Sequence, residues 1–199
     1  MRKDALINRE RVLAAADAMF REHGLEVSVG EIADAAGVGR GTLFRNFPSK
    51  DALIAAVAAQ RIDEALAVGQ QMLESDQDDA ELVFTFLEYV THRQEEDRAL
   101  LQAVTDEMLM SEPAMCEVHT RMIDQLEQLL ERGKRAGSVR PEATAADVLM
   151  LIKGLCMYPA TNQPLSPETI VRHLDLVRAA LTTAEYSRPL RGVSAPLPA

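Results

Sequence analysis

The chain has 199 residues, 47% of them apolar and 4% aromatic, with no tryptophan and a formal net charge of −10 at pH 7. That length suits one large domain or a small domain joined to a larger one, with ample apolar material for a core. Helix formers dominate and strand-like runs of Val, Ile, Thr and aromatics are scarce, so the composition argues against a sheet fold and predicts an all-α one.

The acidic balance, taken alone, argues against DNA as a partner, but the charge is uneven. Residues 1–50 carry eight Lys/Arg and seven Asp/Glu, whereas residues 51–199 carry thirteen and twenty-four. Positions 35–50 hold Arg40, Arg45 and Lys50 and no acid. Phosphate binding senses the field within about 10 Å at ordinary salt, so a small basic face works on an acidic protein. Cys116 and Cys156 lie in apolar helical stretches without metal-type spacing and read as buried free thiols. His23, His92, His119 and His173 are scattered, so neither a metal site nor a cofactor is expected. The amino terminus lacks a secretory apolar core. The stretch Val148–Tyr158, broken by Lys153, is too short to span a bilayer. A cytoplasmic protein is the expectation.

The first predicted helix runs from about Asn8 to His23, with Val12, Leu13, Ala16, Met19 and Phe20 on one apolar stripe and Gly24 as its stop. A second starts at Ser28, where Ser28 and Glu31 form an S-x-x-E capping box flanked by the Val27–Ile32 staple, and ends at Gly37. A third spans about Arg40 to Phe47. Leu43 and Phe47 lie one turn apart as buried anchors. Gly41 and Arg45 point away, with Thr42 and Phe44 on the flanks. Pro48 closes it. Helix, tight glycine turn and short helix within residues 28–47 have the dimensions of a helix-turn-helix reading head. Ser49 caps a fourth helix that continues to about Leu73. Lys50 in its first turn opposes the helix dipole, which a shared phosphate reconciles and a merely solvated lysine does not need to.

The run Val29–Leu53, VGEIADAAGVGRGTLFRNFPSKDAL, resembles the amino-terminal signature of the TetR (tetracycline-repressor) family of transcription regulators, and the similarity extends back through the first helix. The resemblance implies that residues 39–46 enter the major groove, with Thr42 on a base edge or phosphate and Arg40 and Arg45 on guanine or phosphate. Ser28 and Lys50 then hold the DNA backbone on either side, and Gly41, Phe44 and Asn46 complete the surface. Phe44 stands where the family often has Tyr, without the hydroxyl that reaches phosphate, and Asn46 where it often has His, keeping a hydrogen-bonding group of different reach. The domains expected are residues 1–48 for DNA, residues 49–186 as a helical ligand-binding and dimerising bundle, and residues 187–199 as a disordered tail.

Beyond the head, helices are predicted over about Ala80–Arg93, Asp97–Met110, Pro113–Ala136, Ala143–Tyr158 and Pro167–Glu185. The carboxylates of Asp76–Glu81 and Glu95–Asp97 read as solvated helix ends. The family resemblance implies a homodimer built by the last two helices, with Val148, Leu149, Ile152, Leu155, Ile170, Leu174, Val177 and Leu181 at the interface or, equally, in the chain's own core. It also implies a small, apolar or aromatic effector. Phe84, Tyr89, Met108, Met115, Met122 and Met157 supply adaptable apolar surface and His119 a polar group, although a methionine-rich core needs no ligand. The function expected is a ligand-responsive regulator of a palindromic double-stranded operator, working as a repressor. No nucleophile, phosphate loop or metal cluster suggests an enzyme, and the alternatives are a helical small-molecule carrier or an interaction adaptor that does not read DNA.

Overall fold

In the computed structural model, the described residues are 2–95, 106–161 and 166–186, with side chains described over 6–92, 106–154 and 166–185. They form nine α-helices, a final 3-10 turn and no strand. The helices are α1 (Arg2–His23), α2 (Val29–Ala36), α3 (Arg40–Asn46), α4 (Lys50–Glu74), α5 (Leu82–Glu95), α6 (Glu107–Met110), α7 (Pro113–Arg135), α8 (Ala145–Thr161) and α9 (Pro167–Leu181). Two compact units result, one of Met1–Glu64 with Glu96–His119, the other of Ala65–Glu95 with Thr120–Ala199. Both α4 and α7 contribute residues to each. Among the described residues, no helix is long and apolar enough to cross a membrane.

In the first unit, α1 packs against α2 and α3 through Val12, Ala16 and Phe20, buried at one-turn intervals. It begins about two turns earlier than the Asn8 start expected, and it stops where Gly24 takes φ 76 and its N–H returns to the Phe20 carbonyl at 3.0 Å. Along α4, every residue from Leu53 to Ala59 is buried. Six of the seven are small or β-branched, which lets neighbours approach this helix from all sides.

Arg61, on α4 and only 3% exposed, meets Asp17 of α1 at 2.5 Å, and Asp17 also holds Arg21 at 3.2 Å. Burial pushes the Arg61 guanidinium down while hydrogen bonding and charge from Asp17 oppose that shift.

In the second unit, α5 buries Leu82, Val83, Phe84, Phe86 and Leu87, as expected for a helix apolar on most sides. The Asp76–Glu81 segment is not simply a solvated helix end. Arg132 of α7 binds Asp79 and donates to the Leu73 carbonyl at 2.6 Å. Arg178 of α9 meets Glu81 at 2.5 Å while lying 4.2 Å from the centroid of Phe84. Two arginines thus clamp the α4–α5 turn. The side chains of Glu95–Asp97, and most of the helix expected over Asp97–Met110, lie outside the described residues.

The last helix ends at Leu181 rather than at Glu185. Thr182 turns extended and bridges Val139, with Arg140 N–H on the Leu181 carbonyl at 2.8 Å and Thr183 N–H on that of Ser138 at 3.0 Å. A second correction concerns Cys116, which is exposed on α7 rather than buried. The side chain of Cys156 and the residues of the tail 187–199 lie outside the described set.

Candidate nucleic-acid interface

The reading head is assembled by its caps. The Ser28 N–H donates to Glu31 Oε2 at 2.9 Å, and the Glu31 N–H to Ser28 Oγ at 3.2 Å, closing the capping box of α2. Hydrogen bonds from the Ser28 hydroxyl, then from its N–H, hold the Glu31 carboxyl below the ordinary carboxylate range. At the other end Gly37 adopts φ 63, its N–H returning to the Ala33 and Asp34 carbonyls. Only a residue without a Cβ takes that conformation without strain, and it aims the chain into α3.

Within α3, Leu43 is fully buried and the Phe47 that follows is 2% exposed, and these two dock the helix on the head. Arg40, Gly41, Phe44 and Arg45 are exposed, Phe44 at 46%, while Thr42 and Asn46 are half-buried. A Cβ built on Gly41 meets nothing within 4 Å. Arg45 is folded along the helix, donating from Nε to the Gly41 carbonyl and from Nη2 to the Thr42 hydroxyl, each at 3.1 Å. Asn46 Nδ2 donates to the Thr42 carbonyl at 2.8 Å. The result is a solvent-facing strip of hydrogen-bond donors around one aromatic ring.

The flanks carry two more cations. The Arg40 guanidinium lies directly over Gly30, where any Cβ would collide with it, so Arg40 sits beside the Ser28 cap. Lys50 follows Ser49, whose hydroxyl accepts the Ala52 N–H at 2.9 Å to start α4. Arg40, Arg45 and Lys50 have no carboxylate partner among the described residues. One group escaped sequence reasoning: Arg9 of α1, whose guanidinium lies 4.8 Å from the centroid of Phe47. No local pattern links positions 9 and 47; only the packing of α1 on α3 does.

The expected ligand and interface residues are spread over both units. In the first, Met115 is 1% exposed, Met108 is 72% exposed on the single turn of α6, and His119 is half-buried. In the second, Phe84 lies beneath Arg178, while Tyr89 and Met122 are half-buried; the side chains of Met157 and Leu155 are outside the described residues. Nearby, the buried Gln125 donates to the Leu66 carbonyl at 2.8 Å, its amide filling the space that Gly69 leaves open beside Phe86. On α8 and α9, Val148, Ile152, Ile170, Leu174, Val177 and Leu181 are buried and Leu149 is half-buried. Among the described side chains there, the large apolar ones left exposed are Met150 at 74%, Leu151 at 37% and Leu176 at 44%.

Comparison with known proteins agrees with this geometry. Residues 12–57 match the family described as bacterial regulatory proteins, tetR family, and residues 78–183 match the transcriptional regulator SbtR-like C-terminal domain. An HTH-type transcriptional regulator of Staphylococcus aureus is 33% identical over 105 residues, which is 52% of this chain and 57% of that protein. The chain thus spans little more than half the length of that relative. The crystal structure of a TetR transcription regulatory protein from Mycobacterium vanbaalenii is similar at 30% identity and TM-score 0.58, covering 92% of this chain and 99% of that one. RolR, solved in complex with resorcinol, shares the fold at TM-score 0.72 and 19% identity, covering 98% of this chain and all of that one.

Proposed function

The chain belongs to the TetR family of bacterial transcription regulators, with a DNA-binding helix-turn-helix at its amino end, and from that premise we propose that it is a ligand-responsive repressor reading a palindromic operator as a homodimer. The observation that carries this reading is the exposed face of α3, where Arg40, Gly41, Phe44 and Arg45 are exposed and the two arginines have no acidic partner among the described residues. Exposed N–H donors of this kind pair with guanine edges and phosphates, and Phe44 suits a thymine methyl. Ser28 and Lys50 hold the backbone on the two sides, and Thr42 and Asn46 complete the surface. Residues 1–48 serve as the DNA-binding domain and 49–186 as the ligand-binding and dimerising body.

A seven-residue helix reads few base pairs, and two heads about 34–36 Å apart read a palindrome on one face of the duplex. The face that favours pairing of two copies is that of Met150, Leu151 and Leu176. Exposed apolar side chains of this size gain when a second α8–α9 pair covers them. Val148, Ile152, Ile170, Leu174, Val177 and Leu181 are buried, with Leu149 half-buried, and set the packing of the two helices. For a small aromatic or apolar effector the second unit offers apolar surface at Phe84, Tyr89 and Met122 and a polar group at Gln125; Met115 and His119 belong to the first unit, and the side chain of Met157 lies outside the described residues. The resorcinol complex of RolR supports only that this fold accepts such a molecule. Effector binding would then shift operator affinity by a few kcal/mol, as coupled sites do. Acting on DNA, the protein works in the cytoplasm.

The testing experiment is an operator-binding titration of the Arg40, Arg45 and Lys50 triple alanine variant. The reading expects binding to be abolished at moderate salt with the fold intact. Binding equal to that of the parent protein rules out this surface.

A further inference from the structure

We propose that Arg9 of α1 is a further DNA contact, a phosphate-binding guanidinium held in position by the ring of Phe47. The proposal rests on the head being a DNA reader, and adds to it a residue outside the helix-turn-helix. Phe47 is the residue that closes α3, and Lys50 lies three positions further on. Arg40 opens α3 on the Ser28 side, so Arg9 and Arg40 bracket the two ends of the reading helix.

Arg9 is charged, half-buried and without an acid. Its neighbours at one-turn spacing on α1 are Ala5, Leu6, Val12 and Leu13, none of which carries charge. It has no carboxylate partner among the described residues. Arg21, on the same helix, has Asp17 four residues before it at 3.2 Å. The third arginine of this group, Arg11, has a structural role: its guanidinium lies against Gly37 at the carboxyl end of α2, a helix with no basic residue in its own last turn. Arg9 has no such duty. Among the described residues its guanidinium lies over the face of the Phe47 ring, which attracts the cation and restricts its rotamers, and stacking on a ring face uses none of the in-plane N–H donors. A planar fork pre-ordered in this way loses little entropy on taking a phosphate.

A phosphate contact has a signature that a packing role lacks. It is blind to sequence and releases a counterion, so its loss lowers the slope of log affinity against log salt by about one per bound head. The test is a set of titrations from about 50 to 200 mM KCl, the range over which such contacts show. The probes are an operator duplex recovered by selection and a random-sequence duplex of equal length. Arg9→Gln should lower the slope by about one per head and weaken both duplexes by the same factor. Arg9→Lys should retain the slope, and Arg21→Gln should match the parent protein. An Arg9→Gln protein of lower affinity but unchanged slope would assign Arg9 to packing and overturn the proposal, as would a loss confined to the operator duplex. If the parent protein itself binds neither duplex, the DNA reading fails along with it.

Discussion

The Arg45 guanidinium rests on the hydroxyl of Thr42, 3.1 Å away, and on the carbonyl of Gly41 at the same distance, so the residue best suited to read a base is already ordered along α3. In the proposed operator complex these weak surface bonds would be exchanged for a pair of acceptors on a guanine. Arg45→Ala should cost about 1–3 kcal/mol in operator binding and relax the preference at one base pair per half-site. Thr42→Val, which keeps the shape and removes the hydroxyl, should loosen the same position. A double-mutant cycle of the two should be non-additive, since both act on one guanidinium. Strict additivity would mean that Thr42 does not order Arg45.

Gly41 distinguishes folding from function. It is exposed in the first turn of α3, and a Cβ there meets nothing within 4 Å. Gly41→Ala should therefore stabilise the head by about 0.5–1 kcal/mol in thermal or urea unfolding. The same methyl would stand between α3 and the base edges, so operator affinity should fall. A variant with more stable folding and unimpaired DNA binding would place the reading face elsewhere.

The pair of Asp17 and Arg61 makes an asymmetric prediction about stability. Asp17→Ala takes the carboxylate from a guanidinium that is 3% exposed and keeps the Asp17 backbone carbonyl at 3.3 Å, whereas Arg61→Met fills the same space without charge and leaves Asp17 with Arg21. Breaking a buried pair by removing one partner costs about 3–5 kcal/mol, and the partial exposure of Asp17 places this case at the low end. Arg61→Met should cost clearly less in urea unfolding. The reverse order would show that Arg61 is better solvated than its burial implies.

Acid stability should depend on the helix caps. The Glu31 carboxyl is held below its ordinary range by Ser28, that of Asp147 by the Thr144 hydroxyl and then its N–H, and that of Glu168 by its own backbone N–H and then Ser166. A carboxyl depressed in the folded state contributes stability above the unfolded carboxylate range and loses it as the pH falls through the folded value. Glu31→Gln keeps the reach of the capping box but does not titrate. Its unfolding midpoint should lie below the parent's at neutral pH and converge with it in acid; a gap independent of pH would contradict the assignment.

The head was legible in the sequence because its signals are local. The Ser28–Glu31 box, the αL glycines at 24 and 37 and the Leu43–Phe47 spacing each act within one or two turns, and the structure shows each of them in place. The rest was less legible because it is tertiary. The partners of Asp79 and Glu81 stand 53 and 97 residues away on other helices, and nothing in the Asp76–Glu81 segment announces them. Arg9 and Phe47 meet only once α1 has packed on α3, and the Thr182 bridge to Val139 ends α9 where propensity alone would continue it. Cys116 misled for a related reason. Apolar neighbours in sequence do not say which side of α7 faces water.

The most direct measurement is a selection of random duplex DNA on the purified protein, carried out in parallel on Leu176→Glu. A homodimer with α3 as its reading helix should recover a palindrome with half-sites about one helical turn apart, and the Leu176→Glu protein only a single half-site at lower affinity. Recovery of duplexes with no shared sequence, bound weakly and released by moderate salt, would contradict the operator-reading account.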